Sequence, residues 1–61
     1  MKYWNLRDSD GNEIGDFTAA DLRQNVDVLA DDKPWGWRPT ADGGAEAVCG
    51  FVVIATAHPI N

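Results

Sequence analysis

The side chains able to do covalent chemistry are few, and their spacing limits them. The chain holds one cysteine, Cys49, one histidine, His58, and one serine, Ser9. A nucleophile needs a base within hydrogen-bond reach. Cys49 and His58 lie nine residues apart in the apolar run that closes the sequence. On one continuous strand that spacing separates them by roughly 30 Å, so they form no dyad. A free thiol in such surroundings behaves as a small buried hydrophobe. Ser9 sits among turn formers with no histidine nearby. No glycine loop for phosphate is present. One His and one Cys fall short of a four-ligand zinc site. No enzyme activity and no cofactor are expected.

The carboxylates are the abundant functional groups. Asp8 to Asp32 holds eight of the ten acids and one base, Arg23, for a local charge of −7. The seven residues before it sum to +2, the remainder is neutral, and the whole chain carries −5. Asp8-Ser9-Asp10-Gly11-Asn12 begins like a calcium loop, with oxygens at positions one, three and five. Position six is then Glu13 instead of glycine, and position twelve is Ala19 instead of a bidentate glutamate, so a plain hairpin turn is the better reading. Trp35 and Trp37 suggest a stacking platform for single-stranded nucleic acid. Such platforms need a basic groove, and here only Lys33 and Arg38 lie close by. Direct nucleic-acid binding is not expected, and the tryptophans are read as closing a small core.

The elements that must position these groups follow from periodicity. Lys2–Arg7 alternates, with Trp4 and Leu6 on one face and Tyr3, Asn5 and Arg7 on the other, as in a half-buried strand. A three-residue loop Ser9-Asp10-Gly11 would set Asp8 opposite Asn12, Arg7 opposite Glu13 as an ion pair, and Leu6 opposite Ile14. A two-residue Asp10-Gly11 turn would instead place Trp4 opposite Phe17. Thr18 has the position and chemistry of a helix N-cap, with Asp21 in the first turn. Leu22, Val26 and Leu29 then share a core stripe flanked by Ala19 and Ala30. Asp21, Gln24, Asp27 and Asp31 fall on the opposite side, with Val28 among them. Pro34 ends the helix near Asp32. Pro34-Trp35-Gly36-Trp37-Arg38-Pro39 fits an edge strand. Ala45–His58 reads as one long strand, apolar on both faces. The expected fold is α+β: a β-β-α-β-β antiparallel sheet with one helix packed on one face, in a single domain spanning 1–61.

With one cysteine, no internal disulfide is available, and a core this small is marginal. A homodimer is one route to completing it. No apolar signal segment opens the chain, the longest apolar run is too short for a membrane helix, and the cytoplasm of a bacterial host is the expected compartment.

In length, acidity and lack of catalytic residues, the chain resembles the small inhibitor proteins of phages and mobile elements, anti-CRISPR proteins above all. That resemblance implies a stoichiometric inhibitor. Several proteins of this kind mimic DNA and occupy the basic groove of a CRISPR effector. The expected partner is therefore the basic surface of a nucleic-acid-binding protein such as a CRISPR effector subunit. The helical projection and charge count put Asp16, Asp21, Asp27, Val28, Asp31 and Asp32 forward as contact residues. The alternative is a structural or assembly module that oligomerises through an edge strand or the Trp35/Trp37 segment.

Overall fold

A computed structural model describes residues 2–60. It contains β1 (Tyr3–Asp8), β2 (Glu13–Phe17), α1 (Ala19–Ala30), β3 (Gly36–Pro39), β4 (Ala45–Cys49) and β5 (Val52–Ile60). The strands form one antiparallel sheet in the order β2-β1-β5-β4-β3. The helix packs on one face of it, as the α+β reading requires. No described helix is long and apolar enough to cross a membrane.

The first hairpin closes through the three-residue loop. Asp8 and Asn12 are joined by the Asp8 N–H, which donates to the Asn12 carbonyl at 3.0 Å. Gly11 takes the left-handed conformation, φ 86°, where glycine carries no steric cost. Arg7 faces Glu13, but the expected Leu6–Ile14 pairing does not form. Ile14 bulges out of the ladder, and Leu6 lies opposite Gly15. A side chain at 15 would meet the Phe17 ring at 3.1 Å, so glycine suits the position. The bulge also brings Trp4 opposite Phe17, the aromatic pairing that the shorter turn would have given. Nor do Arg7 and Glu13 form the expected ion pair. Asn5 stands between them, donating to Glu13 at 2.8 Å and accepting from Arg7 at 3.1 Å.

The helix starts as predicted. Thr18 Oγ1 accepts from the Asp21 N–H at 3.4 Å. Leu22, Val26 and Ala30 are its buried residues. Leu29, expected in the core stripe, lies at its margin and is 39% exposed.

Ala45–His58 is not one strand. It folds back at Gly50-Phe51 into β4 and β5. Gly50 takes φ 64°, and glycine at the first central position of a two-residue loop is the mark of a type II′ hairpin. An apolar run bent around such a turn keeps the same composition as a straight one, which is why periodicity did not separate them. β5 thereby becomes the central strand, paired with β1 on one side and β4 on the other. Ile54 forms a second bulge, between the Ala47–Ala55 and Val48–Val53 pairs.

The core lies between α1 and the middle of the sheet. Leu6, Leu22, Val26, Ala47, Ala55 and Ala57 are buried, and Trp4, Phe17, Trp35 and Ile54 pack around them. Three of the six are alanines contributed by β4 and β5. Small residues there let the helix approach closely enough for Leu22 and Val26 to reach the sheet. Placing leucine at Ala55 should therefore overpack the contact and remove about 1–3 kcal/mol of stability. Urea unfolding checks this, and an unchanged midpoint would mean that the helix is not seated on the alanines.

Candidate functional site: the acidic end of the helix

The expected acidic contact residues divide between two faces. Asp16 lies on the sheet face opposite the helix. Its carboxylate accepts from Asn5 Nδ2 at 3.0 Å, beside the Asn5–Glu13 bond. Asp21, Asp27, Val28, Asp31 and Asp32 belong to the helix and its exit. No single surface gathers all six.

On the helix, Asp21, Gln24 and Val28 share the outermost line by the 100° rule. Val28 is 79% exposed. Asp27 sits toward one flank, where its Oδ1 accepts from Trp35 Nε1 at 2.6 Å. That bond ties the segment after the helix back onto it, so Asp27 has a structural task. Arg23 and Lys33 line a basin of about 490 Å³ with Asp27, Asp32, Pro34 and Trp35. Among the described residues, the ion pairs within 4 Å are Arg38–Glu46 and His58–Asp42. The helix acids take part in neither.

The end of α1 breaks two local rules at once. Asp31 caps it with φ 53° and ψ 53°, and Asp32 follows with φ 63°. Both are left-handed, a conformation helices usually assign to glycine. The last turn contains no base, although the negative end of the helix dipole favours Lys, Arg or His there. Strained, like-signed groups at one exposed point oppose local stability, a pattern that concentrates where a surface serves something else.

In the first turn, Asp8 Oδ1 accepts from the N–H groups of Asp10 and Asn12, both at 2.9 Å. This carboxylate organises the turn from within. Cys49 pairs with Val52 at the hairpin end, and His58 lies six residues further along β5. That puts them about 20 Å apart, less than a single strand would give and still far beyond contact. Trp35 packs on the core, and Trp37 meets it edge-on, ring centroids 4.9 Å apart. Trp37 also borders an apolar cleft of about 170 Å³ with Trp4, Ala19, Leu22, Ala45 and Ala57. The lining of that cleft includes no titratable side chain.

Two features had no local signal in sequence. The first is a latch that ties the β3–β4 loop to β5. Asp42 accepts from the Thr40 hydroxyl, from the Gly44 N–H at 3.1 Å and from His58 Nε2 at 3.0 Å. Thr40 and His58 both bond to the carboxylate and not to each other, so no proton relay runs to the hydroxyl. The second is Phe51, fully exposed at the tip of the β4–β5 turn.

No protein-family model, curated protein or solved structure matches the chain.

The latch has a pH consequence. The Thr40 hydroxyl bond, then the Gly44 N–H and then His58 hold the Asp42 carboxyl at about 2, below its ordinary 3.8. A depressed carboxyl stabilises the fold fully above its unfolded value and loses that contribution as pH falls through the folded one. Stability should therefore decline between about pH 4 and pH 2, and Asp42→Asn should flatten that part of the profile. Unfolding curves at several pH values check this. An identical acid slope in wild type and variant would remove the latch from the account.

Proposed function

We propose that this protein is a non-enzymatic inhibitor that binds the basic surface of a nucleic-acid-binding protein in the bacterial cytoplasm. The class it fits best is the anti-CRISPR protein, with an acidic surface occupying a groove that otherwise holds DNA. The contact centres on Asp31 and Asp32, with Val28 and Asp21 on the adjoining line of the helix. Asp27 contributes charge from the flank while holding Trp35. Asp16, on the far face, stands outside this contact.

One observation carries the reading. Asp31 and Asp32 occupy left-handed positions at the negative end of a helix dipole. Glycine would relieve the backbone there, and a base would favour the dipole. Keeping two acids at this point makes sense when a cationic partner supplies the missing positive charge. Duplex DNA presents about one negative charge per 1.7 Å of axis, and clustered aspartates offer the same kind of target to a Lys/Arg-lined groove. Such charges steer association, and affinity then depends on a few desolvated anchors.

The assembly alternative draws less support. Of the two edge strands, β2 is short, bulged at Ile14 and charged at Glu13 and Asp16, and β3 ends in Pro39, with Pro34 just before it. Prolines blunt an edge against pairing. Trp35 is turned onto the core, which leaves less of the tryptophan segment for a second chain.

The double variant Asp31→Gly/Asp32→Gly separates stability from binding. Relief of strain and of dipole repulsion should raise stability by about 1 kcal/mol, a rise in melting temperature of about 4–8 °C. The same variant should lose a basic nucleic-acid-binding protein that the wild type retains from a bacterial lysate. Equal retention by the stabilised variant would refute the proposed contact.

A further inference from the structure

The hairpins β1–β2 and β3–β4 close through the same backbone turn. Asp8 and Asn12 bracket Ser9-Asp10-Gly11, and Thr40 and Gly44 bracket Ala41-Asp42-Gly43. In each turn the first residue's N–H donates to the last residue's carbonyl at 3.0 Å. The glycine N–H donates back to the first residue's carbonyl, at 3.1 Å for Gly11 and 3.3 Å for Gly43. Both glycines are left-handed, with φ 86° and 88°. Each turn therefore carries an Asp-Gly pair at the same two positions, exposed in both. The two carboxylates differ. Asp42 Oδ1 accepts from the Thr40 hydroxyl and from the Gly44 N–H at 3.1 Å, and its Oδ2 meets His58 Nε2 at 3.0 Å. In the first turn Asp8 holds the loop amides instead. Among the described residues, the Asp10 carboxylate accepts no hydrogen bond and joins no ion pair.

We infer that Asp10-Gly11 is a site of spontaneous backbone rearrangement to isoaspartate, and that Asp42-Gly43, in the matching turn, is protected from it. The Gly11 nitrogen attacks Asp10 Cγ and bonds to it. The carboxyl hydroxyl leaves with the amide proton as water, which closes a succinimide ring. Water then reopens the ring. Cleavage between the nitrogen and the original main-chain carbonyl leaves the chain running through Cγ, with a free α-carboxylate. Cleavage of the new bond restores aspartate. One water is lost and one regained, nothing is oxidised, and the net charge is unchanged. The inference is independent of the proposed contact at the helix end.

Glycine presents no side chain to hinder the attack. Its nitrogen is held alike in the two turns, so the carboxyl decides. The neutral acid is the reactive form, because a carboxylate is a poor electrophile. The Thr40 hydroxyl, then the Gly44 N–H and then His58 hold the Asp42 carboxyl at about 2, against an ordinary 3.8. That lowers its neutral fraction at least about tenfold. The Asp42 side chain must also give up its three hydrogen bonds to reach Gly43. Asp10 has none to give up. Its rearrangement adds a main-chain carbon to a loop in which the N–H groups of residues 10 and 12 meet on one Asp8 oxygen, so conversion loosens the β1–β2 hairpin.

Incubating the full chain in mildly acidic buffer made with heavy-oxygen water tests this. Ring opening adds one solvent oxygen, so peptide mass spectrometry counts each passage through the succinimide. Electron-transfer fragmentation separates the rearranged chain from the original. In the folded protein, label and isoaspartate should accumulate at Asp10 at least about tenfold faster than at Asp42. In urea, with both turns undone, the two sites should react at similar rates. Thr40→Ala and, as a second variant outside the turn, His58→Gln should each speed reaction at Asp42 and leave Asp10 unchanged. Equal rates in the folded protein, or a faster Asp42, would overturn the inference, as would no label at either site. A ratio that persists in urea would assign the difference to local sequence and overturn it too. An unchanged Asp42 rate in both variants would overturn the protection.

Discussion

The structure depends on the seat of α1 against β5, β1 and β2, over the small buried residues at the middle of the sheet. Ala47, Ala55 and Ala57 are fully buried, and Leu22 and Val26 come down onto them. Among the described residues, Leu6 and Val26 are the large side chains wholly removed from water. Full burial of such a side chain contributes about 1.5–3 kcal/mol, so a core of this size leaves little in reserve. The half-buried aromatics compensate. Trp4, Phe17 and Trp35 wall the seat, and the Trp35–Asp27 hydrogen bond fixes the chain where it leaves the helix.

Against so thin a core, the end of α1 is an expensive arrangement. Two consecutive left-handed aspartates and a last turn without bases oppose the helix that the rest of the fold works to hold. The N-terminus of the same helix obeys every local rule, with Thr18 as cap and Asp21 in the first turn. The contrast between the two ends is informative because both belong to one short element in one solvent. Local chemistry that agrees with the fold at one end and opposes it at the other points to a task at the second. The bare hairpin beside it, with Phe51 and Val52 in water, adds a second departure at the same corner of the molecule.

Much of this was legible in sequence. The alternation of Trp4 and Leu6, the Thr18 cap, the Leu22–Val26 stripe and the proline-flanked edge strand rest on short-range rules, and each is present. The failures share a cause as well. The Ile14 bulge sets Gly15 opposite Leu6 and beside the Phe17 ring, a backbone irregularity that strand alternation does not encode. The Gly50-Phe51 turn lies within an apolar run whose composition fits one strand or two. The ion pair expected between Arg7 and Glu13 gave way to Asn5, which reaches both. The Asp42–His58 latch joins groups sixteen residues apart and had no pattern to find. For the acidic surface, charge counting located the helix acids but set Asp16 with them, because strand alternation and helix projection share no common frame until the sheet is assembled.

If the helix-end carboxylates compete with DNA for one basic groove, binding to the partner must respond to both salt and DNA. The most direct measurement is equilibrium binding to the captured partner across a salt series, with and without duplex DNA. Affinity should fall steeply as salt rises, and protein and DNA should exclude one another from the partner. Affinity independent of salt, or a stable ternary complex of partner, DNA and protein, would contradict it.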